Sequence, residues 1–295
     1  MDPLNFDQYY ELMHRELTLQ GKADRTIDSY MRTLRRVRER ISAPLDQLQP
    51  EQLKEYFAEL LKTHSWSTVK VDRCALVFFY EHVLERDWQW IKIVKVPRVQ
   101  RIPDILSQDE VVLVLSQLQK PRYKTALLTI YSMGLRLSEA LRIQVGDIDS
   151  THMRVHIRNS KNRKDRLVPL PEITLQALRQ FWAMHRNPHL IFPNALLGAE
   201  RRATVKTPMY KGGVQLAFKA ALRDAKIHRP LSVHNLRHSY ATHLVEIGVN
   251  LRVIQTILGH STPATTAIYA KLSQPVMDNS EFKINQMMGK FKQIV

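Results

Sequence analysis

Residues 91–106, IKIVKVPRVQRIPDIL, are the stretch that most limits what this chain can fold into. Proline lacks an amide hydrogen, fixes its own φ and turns the preceding residue away from helix. Pro97 and Pro103 therefore rule out one continuous helix through this segment. Helical patterns lie on both sides of it. The 295 residues are thus read as two domains joined by a linker, which the length also favours. The basic residues Lys92, Lys95, Arg98 and Arg101 suggest that the linker runs along a ligand surface.

The charge divides at the same place. Residues 1–100 carry 16 Lys+Arg against 15 Asp+Glu, whereas residues 101–295 carry 28 against 13. Nearly all of the net charge of +16 therefore sits on the second domain. Such an excess suits a polyanion, most simply nucleic acid; a basic but merely soluble protein is the plain alternative. No run approaches the roughly 20 apolar residues of a membrane span, so no membrane association is expected. The start, MDPLNFDQYY, has acids and no basic n-region, unlike a signal peptide. A single cysteine, Cys74, excludes an intrachain disulfide and fits a reducing cytoplasm. Within CALVFFY it is expected to be a buried thiol.

The first domain reads as all-helical. Ile27, Tyr30, Met31, Leu34, Val37 and Ile41 recur at helical spacing, and Arg32, Arg35, Arg36 and Arg40 lie on the opposite face. That face is either solvated or set against backbone phosphates. Pro50 opens a further helix and WSTVKVDRCALVFFYEHVL supplies another. In the second domain, Ser107 and Glu110 form a capping box. Helices follow over QDEVVLVLSQL, YKTALLTIYSM and LSEALRI. Val155 and Ile157, a polar turn, then Leu167 and Val168 predict a β-hairpin. Pro171 starts another helix, and LIF (190–192) is a candidate short strand. The fold class is mainly α with a small antiparallel β-sheet.

Residues 232–269 carry the densest chemistry. His234 and Arg237 are three apart and share a helix face. Ser232 is their N-cap, and Gly248 the stop. A second helix runs from Asn250 to Leu258 and stops at Gly259, leaving His260 on a loop and Tyr269 nine residues further on. Histidine, arginine and tyrosine together offer a proton carrier, a bidentate cation and a nucleophile for phosphate chemistry. Arg136 and Glu139 in GLRLSEAL have the spacing of a carboxylate that fixes a guanidinium, or of an ordinary surface ion pair. Lys161 sits in the hairpin turn among Arg158, Arg163, Lys164 and Arg166; such a turn is otherwise simply solvated. Lys211 belongs to a further basic run. His234 and His238 invite a metal pair, but the zinc-protease pattern needs glutamate where Asn235 stands. His238 and His243 are expected to pack or meet polar interior groups, and Tyr210 and Tyr240 to be core aromatics. No metal and no cofactor are expected.

Taken together, GLRLSEAL, SKNRKDRLVPL, HNLRHSYATHL and LGHSTPATTAIY resemble, in order and spacing, the motifs of the tyrosine recombinase (phage integrase) family, particularly its Xer-type and mobile-element members. The resemblance implies a helical, SAM-like core-binding domain (1–90), a basic linker (91–106), a catalytic domain (107–272) and a tail (273–295) that docks on a neighbouring subunit or on its own domain. It implies Arg136, Lys161, His234, Arg237, His260 and Tyr269 as catalytic residues, with Tyr269 the nucleophile and Glu139 in support. It places Arg32, Arg35, Arg36, Arg40, Arg158, Arg163, Lys164, Arg166 and Lys211 as candidates for DNA contact. The implied reaction joins Tyr269 to a DNA 3′ end and passes through a Holliday junction without metal or ATP. The implied partner is double-stranded DNA with short inverted core sites, held by a homo-tetramer or a hetero-tetramer with a related recombinase, at the bacterial nucleoid. A type IB topoisomerase shares the chemistry without needing paired sites. A non-catalytic DNA-binding protein would lack part of the set, and no position is missing here.

Overall fold

The computed structural model describes residues 5–86, 103–158, 165–194, 203–260 and 262–270. Its chain divides into two compact units, residues 1–100 and 101–295. The described residues are mostly helical, with a single three-stranded antiparallel sheet among them.

The first unit comprises α1 (Phe6–Leu19), α2 (Asp24–Arg40), α3 (Pro50–Thr63) and α4 (Trp66–His82). The α1 start is a reciprocal cap: the Asn5 amide donates to Gln8 Oε1 at 2.8 Å and the Gln8 amide to Asn5 Oδ1 at 2.9 Å. The expected face of α2 buries Met31, Leu34 and Val37 against α4. Inside this core lies one carboxylate, Asp72 of α4, with no exposed surface. It accepts from Thr33 Oγ1 (2.8 Å), Arg36 Nη1 (2.9 Å) and Tyr56 Oη (2.6 Å), so it ties α2, α3 and α4 together. Burial and the neighbouring carboxylate push the Tyr56 phenol well up, which keeps it a donor. Cys74, expected to be buried, is only half-buried. It shares its segment with Ala75, Leu76 and Phe79, which fill the core instead.

The second unit begins with α5 (Gln108–Ser116), α6 (Pro121–Ser132) and the single-turn α7 (Leu137–Ala140). The Ser107–Glu110 capping box is present, with contacts of 2.9 and 3.1 Å. Strands β1 (Ile148–Asp149), β2 (Arg154–Ile157) and β3 (Arg166–Pro169) pair in that order, with Val155 opposite Val168. Val155, Ile157 and Val168 enter the core while Leu167 points outward, as strand alternation requires. Then follow α8 (Glu172–Ala183), α9 (Lys211–Asp224), α10 (Val233–Glu246), α11 (Leu251–Leu258) and α12 (Pro263–Ala270). LIF is not a strand: Leu190 makes only an isolated bridge to Gln144, and the next bridge, from Pro193 to Pro208, is to a different segment. Tyr210 is not a core aromatic. It is 68% exposed at the N-terminus of α9, with its ring lying over Gly212. Tyr240 does pack inward, against Gly134.

Candidate active site

The site is assembled where the C-terminus of α11 meets α7, β3 and α10. A helix ends with carbonyls that lack intrahelical partners and carry the negative end of the helix dipole. Gly259, at φ 64°, terminates α11 in the left-handed conformation that glycine adopts freely. The last carbonyls are taken by arginines. Arg166 Nε donates to Ile257 O at 2.7 Å, Arg237 Nη2 to Leu258 O at 2.6 Å, and Arg136 Nη2 to Gly259 O at 3.5 Å. Arg237 is 1% exposed, and its Nη1 also donates to Gly134 O at 2.8 Å.

Glu139 holds the cluster together. Its Oε1 accepts from Arg136 Nη1 (2.6 Å) and Arg166 Nη1 (3.1 Å); its Oε2 accepts from Arg166 Nη2 (2.8 Å) and the Arg136 amide (2.9 Å). Arg237 Nη1 lies 3.8 Å away. Burial alone would raise the Glu139 carboxyl, but the hydrogen bonds and charge of Arg166, then those of Arg136, outweigh it and hold the pKa at about 2. Burial and then the charge of Arg136 draw Arg237 down to about 9, so it remains a cation at neutral pH.

Helix α10 presents His234, Arg237 and His238 within two turns. Its start is fastened by the Ser232 amide, which donates to Asn235 Oδ1 at 2.8 Å. Asn235 Nδ2 in turn donates to Asp104 O at 2.8 Å. The rings of His234 and His238 meet edge to face, with centroids 4.6 Å apart. Helix α12 packs on α10 and α11 and carries Tyr269, which is 2% exposed. The Tyr269 hydroxyl lies 3.0 Å from His238 Nδ1, and the His260 ring lies 6.2 Å from the Tyr269 ring at 20°. His260 Nδ1 is 2.9 Å from Thr266 Oγ1. Desolvation, then Arg237 and Arg136, lower His260 to about 3; desolvation, then His234 and Arg237, lower His238 to about 4. His234 is lowered by the same kinds of cause, although its outer surface is open to water. Burial raises the Tyr269 phenol, while Arg237 and Arg136 oppose the rise.

Of the sequence-predicted residues, Arg136, Glu139, His234, Arg237, His260 and Tyr269 are brought together here. Lys161, Arg163 and Lys164 lie outside the described residues, as do the tail 273–295 and the linker up to Ile102. Arg166 departs from its expectation as a DNA contact. Its side chain is 7% exposed and is committed to Glu139 and Ile257. The sequence signal was parity: on a strand, Arg166 shares the inward side with Val168. Arg36 is likewise engaged with buried Asp72, and Arg158 pairs with buried Asp147. Arg32 pairs with Asp28, while Arg35 and Arg40 lie over the rings of Tyr10 and Tyr56. Lys211 is exposed. His238, expected to pack or meet a polar interior group, meets one: the buried Tyr269 hydroxyl. His243 does meet a polar interior group, with Nδ1 3.0 Å from Tyr131 Oη.

A helical first unit, followed by a mainly helical unit whose hairpin and C-terminal helices converge on an Arg–Glu–Arg cluster and a tyrosine, defines the class of tyrosine recombinases. Residues 101–275 match the phage integrase family, and residues 9–90 match the phage integrase N-terminal SAM-like domain. The chain belongs to this family and is a tyrosine-type site-specific recombinase. It is similar to tyrosine recombinase XerA of Thermococcus kodakarensis, 30% identical over 280 residues that cover 92% of this chain and 95% of the relative. An integrase/recombinase of Escherichia coli is 33% identical over 245 residues, 70% of this chain and 71% of the relative. Among solved structures, a lambda integrase tetramer bound to a Holliday junction superposes with a TM-score of 0.71 at 17% identity, covering 88% of this chain and 78% of that one; this likeness is one of fold.

Proposed function

We propose that this enzyme cuts and rejoins double-stranded DNA through a covalent bond between Tyr269 and a DNA 3′ phosphate. The observation that supports this reading best is the Arg136–Glu139–Arg237 cluster, whose two arginines lie near enough to Tyr269 to oppose the rise of its phenol pKa. A phosphoryl transition state spreads charge over its non-bridging oxygens. Arg237 spends only part of its five-donor fork on Gly134 and Leu258, so donors remain for a phosphate. Arg136 and Arg237 clamp the oxygens and His260 adds a donor. His234, the histidine open to water, takes the phenolic proton. Lys161 gives a proton to the leaving 5′ oxygen. The phosphotyrosine keeps the energy of the broken bond, so rejoining needs neither ATP nor metal.

In this reading residues 1–90 grip one face of a short inverted core site, residues 91–106 follow the duplex, and residues 107–272 carry the chemistry. The tail, residues 273–295, docks on the next subunit of a tetramer through Phe282, Ile284, Met287, Met288 and Phe291. Paired exchanges pass through a Holliday junction, at the bacterial nucleoid.

The test begins with a library of nicked duplexes with randomised cores. Wild-type protein should capture its own site as an adduct that survives denaturation, in the presence of EDTA. Tyr269→Phe should bind the captured site and form no adduct. An adduct at wild-type level from Tyr269→Phe, or a strict requirement for added metal in the cutting step, would refute the mechanism.

A further inference from the structure

The hydroxyl on which the proposed chemistry depends has one close polar neighbour among the described side chains. It is neither His234 nor His260 but His238, whose Nδ1 is 3.0 Å from Tyr269 Oη. The contact joins two helices 31 residues apart in sequence. Tyr269 is otherwise enclosed by Ala241, Val245, Ile254 and Leu258, which fix the ring but offer its oxygen nothing. A buried hydroxyl without a partner is costly, so this hydrogen bond decides where the oxygen rests.

We propose that His238 is a positioning residue for the nucleophile: before attack its Nδ1 accepts the hydrogen bond of the Tyr269 hydroxyl and fixes the oxygen, and as attack begins the phenolic proton leaves that bond for His234, the proposed base. This rests on the reading of Tyr269 as the nucleophile. Three features support an acceptor that holds the proton without removing it. The phenol is a strong donor, and neutral imidazole has one acceptor nitrogen. His238 is kept neutral by its surroundings, with a pKa near 4 through desolvation and the neighbouring His234 and Arg237. The edge of the His234 ring against it limits rotation of the His238 ring. A group so reluctant to gain a proton is a poor base and a good fixed acceptor. Misplacing a reacting atom by about 1 Å can cost about 100-fold in rate, which sets the expected size of the effect.

Three substitutions separate positioning from proton transfer and from simple packing. The Asn side-chain oxygen falls near the position of Nδ1 and cannot take up a proton; Gln carries its oxygen one carbon further. On the captured nicked duplex, His238→Ala should form adduct about 100-fold more slowly while binding DNA normally. His238→Asn should recover most of the rate, and His238→Gln should not. Without any DNA, [13Cζ]tyrosine NMR of the full chain gives a second readout, with the Tyr269 signal identified by its loss in Tyr269→Phe. That signal should move upfield in His238→Ala and return in His238→Asn. Wild-type cutting by His238→Ala, failure of Asn to rescue, or an unmoved Tyr269 signal would each overturn the assignment. If instead Tyr269→Phe still forms adduct, the nucleophile reading fails, and the NMR result alone decides the hydrogen bond.

Discussion

Asp72 in the first unit and Glu139 in the second are both carboxylates buried among arginine and other donors, and the two are put to different use. Asp72 in the first unit takes a hydroxyl from α2, a phenol from α3 and the guanidinium of Arg36. Its partners are local to a helical core, in a unit with almost no net charge. Glu139 in the second unit takes its partners from an arginine three residues away and an arginine 27 residues away. Those cations also grip the end of α11. One acid fastens helices; the other fixes cations that would otherwise repel one another. The buried carboxylate is the same device, and what it organises depends on whether its partners have spare donors for a ligand.

Removing each acid in turn breaks the comparison most sharply. Losing one partner of a buried ion pair costs about 3–5 kcal/mol. Asp72→Asn should lose stability of that order in urea melts, yet the protein still folded at low temperature should cut DNA at the wild-type rate. Glu139→Gln should lose comparable stability and also slow adduct formation about 100-fold, because Arg136 loses its fixed pose. Equal catalytic defects in both variants would erase the distinction.

Acid should find Glu139 next. Its pKa is depressed from 4.5 to about 2 in the folded chain. The linked stability is therefore present above the ordinary value and is lost as pH falls from about 5 towards 2; it amounts to about 3 kcal/mol. The second unit should lose that stability over this range, and Glu139→Gln should flatten the profile. An unchanged profile in that variant would place the acid sensitivity elsewhere.

Gly134 offers a smaller perturbation confined to the catalytic unit. Its φ is +60°, and an added Cβ would sit 2.5 Å from Tyr240 Cδ1 and 2.8 Å from Leu258 Cδ2. Gly134→Ala should cost about 1–3 kcal/mol and loosen Arg237, which donates to the Gly134 carbonyl. Thermal melts check the first effect and adduct rates the second.

The smallest effects separate the arginines of α2. Arg35 is exposed and lies 5.6 Å from the centre of the Tyr10 ring. If it meets a phosphate, Arg35→Ala should leave stability within about 0.5 kcal/mol and lower the salt dependence of DNA binding by about one phosphate contact. Arg36→Ala should instead destabilise the unit, since it strands Asp72. Identical behaviour of the two variants would place both on the same face.

Local features of this architecture were legible in the sequence because local chemistry determines them. Ser107 and Glu110 cap α5 as expected, Gly259 stops α11, and parity sets the hairpin register. Features that depend on remote partners were not. Nothing near Asp72 announces that Thr33 and Tyr56 will come to meet it. Arg166 looked like one more cation of a basic turn because its acceptors lie 27 and 91 residues away. His238 is ambiguous until α12, which was not read as a helix, folds back upon it. Tyr210 was misread for the opposite reason: aromatic residues usually seek the core, but this one rests on a glycine at a helix start.

The docking of arginines onto the end of α11 also sets a timetable. Chains leave the ribosome N-terminus first, at about 5–20 residues per second. Arg136 waits 123 residues for its partner at Gly259, roughly 6–25 s at that pace. By then every element of the first unit has been synthesised, and the buried core described for it is drawn from Tyr9 to Tyr80. The part of the molecule without chemistry is thus free to form early. Glu139 can hold Arg136 and Arg166 earlier, but the carbonyls at the end of α11 and Tyr269 appear only in the final stretch of the described chain, so the complete site arrives last.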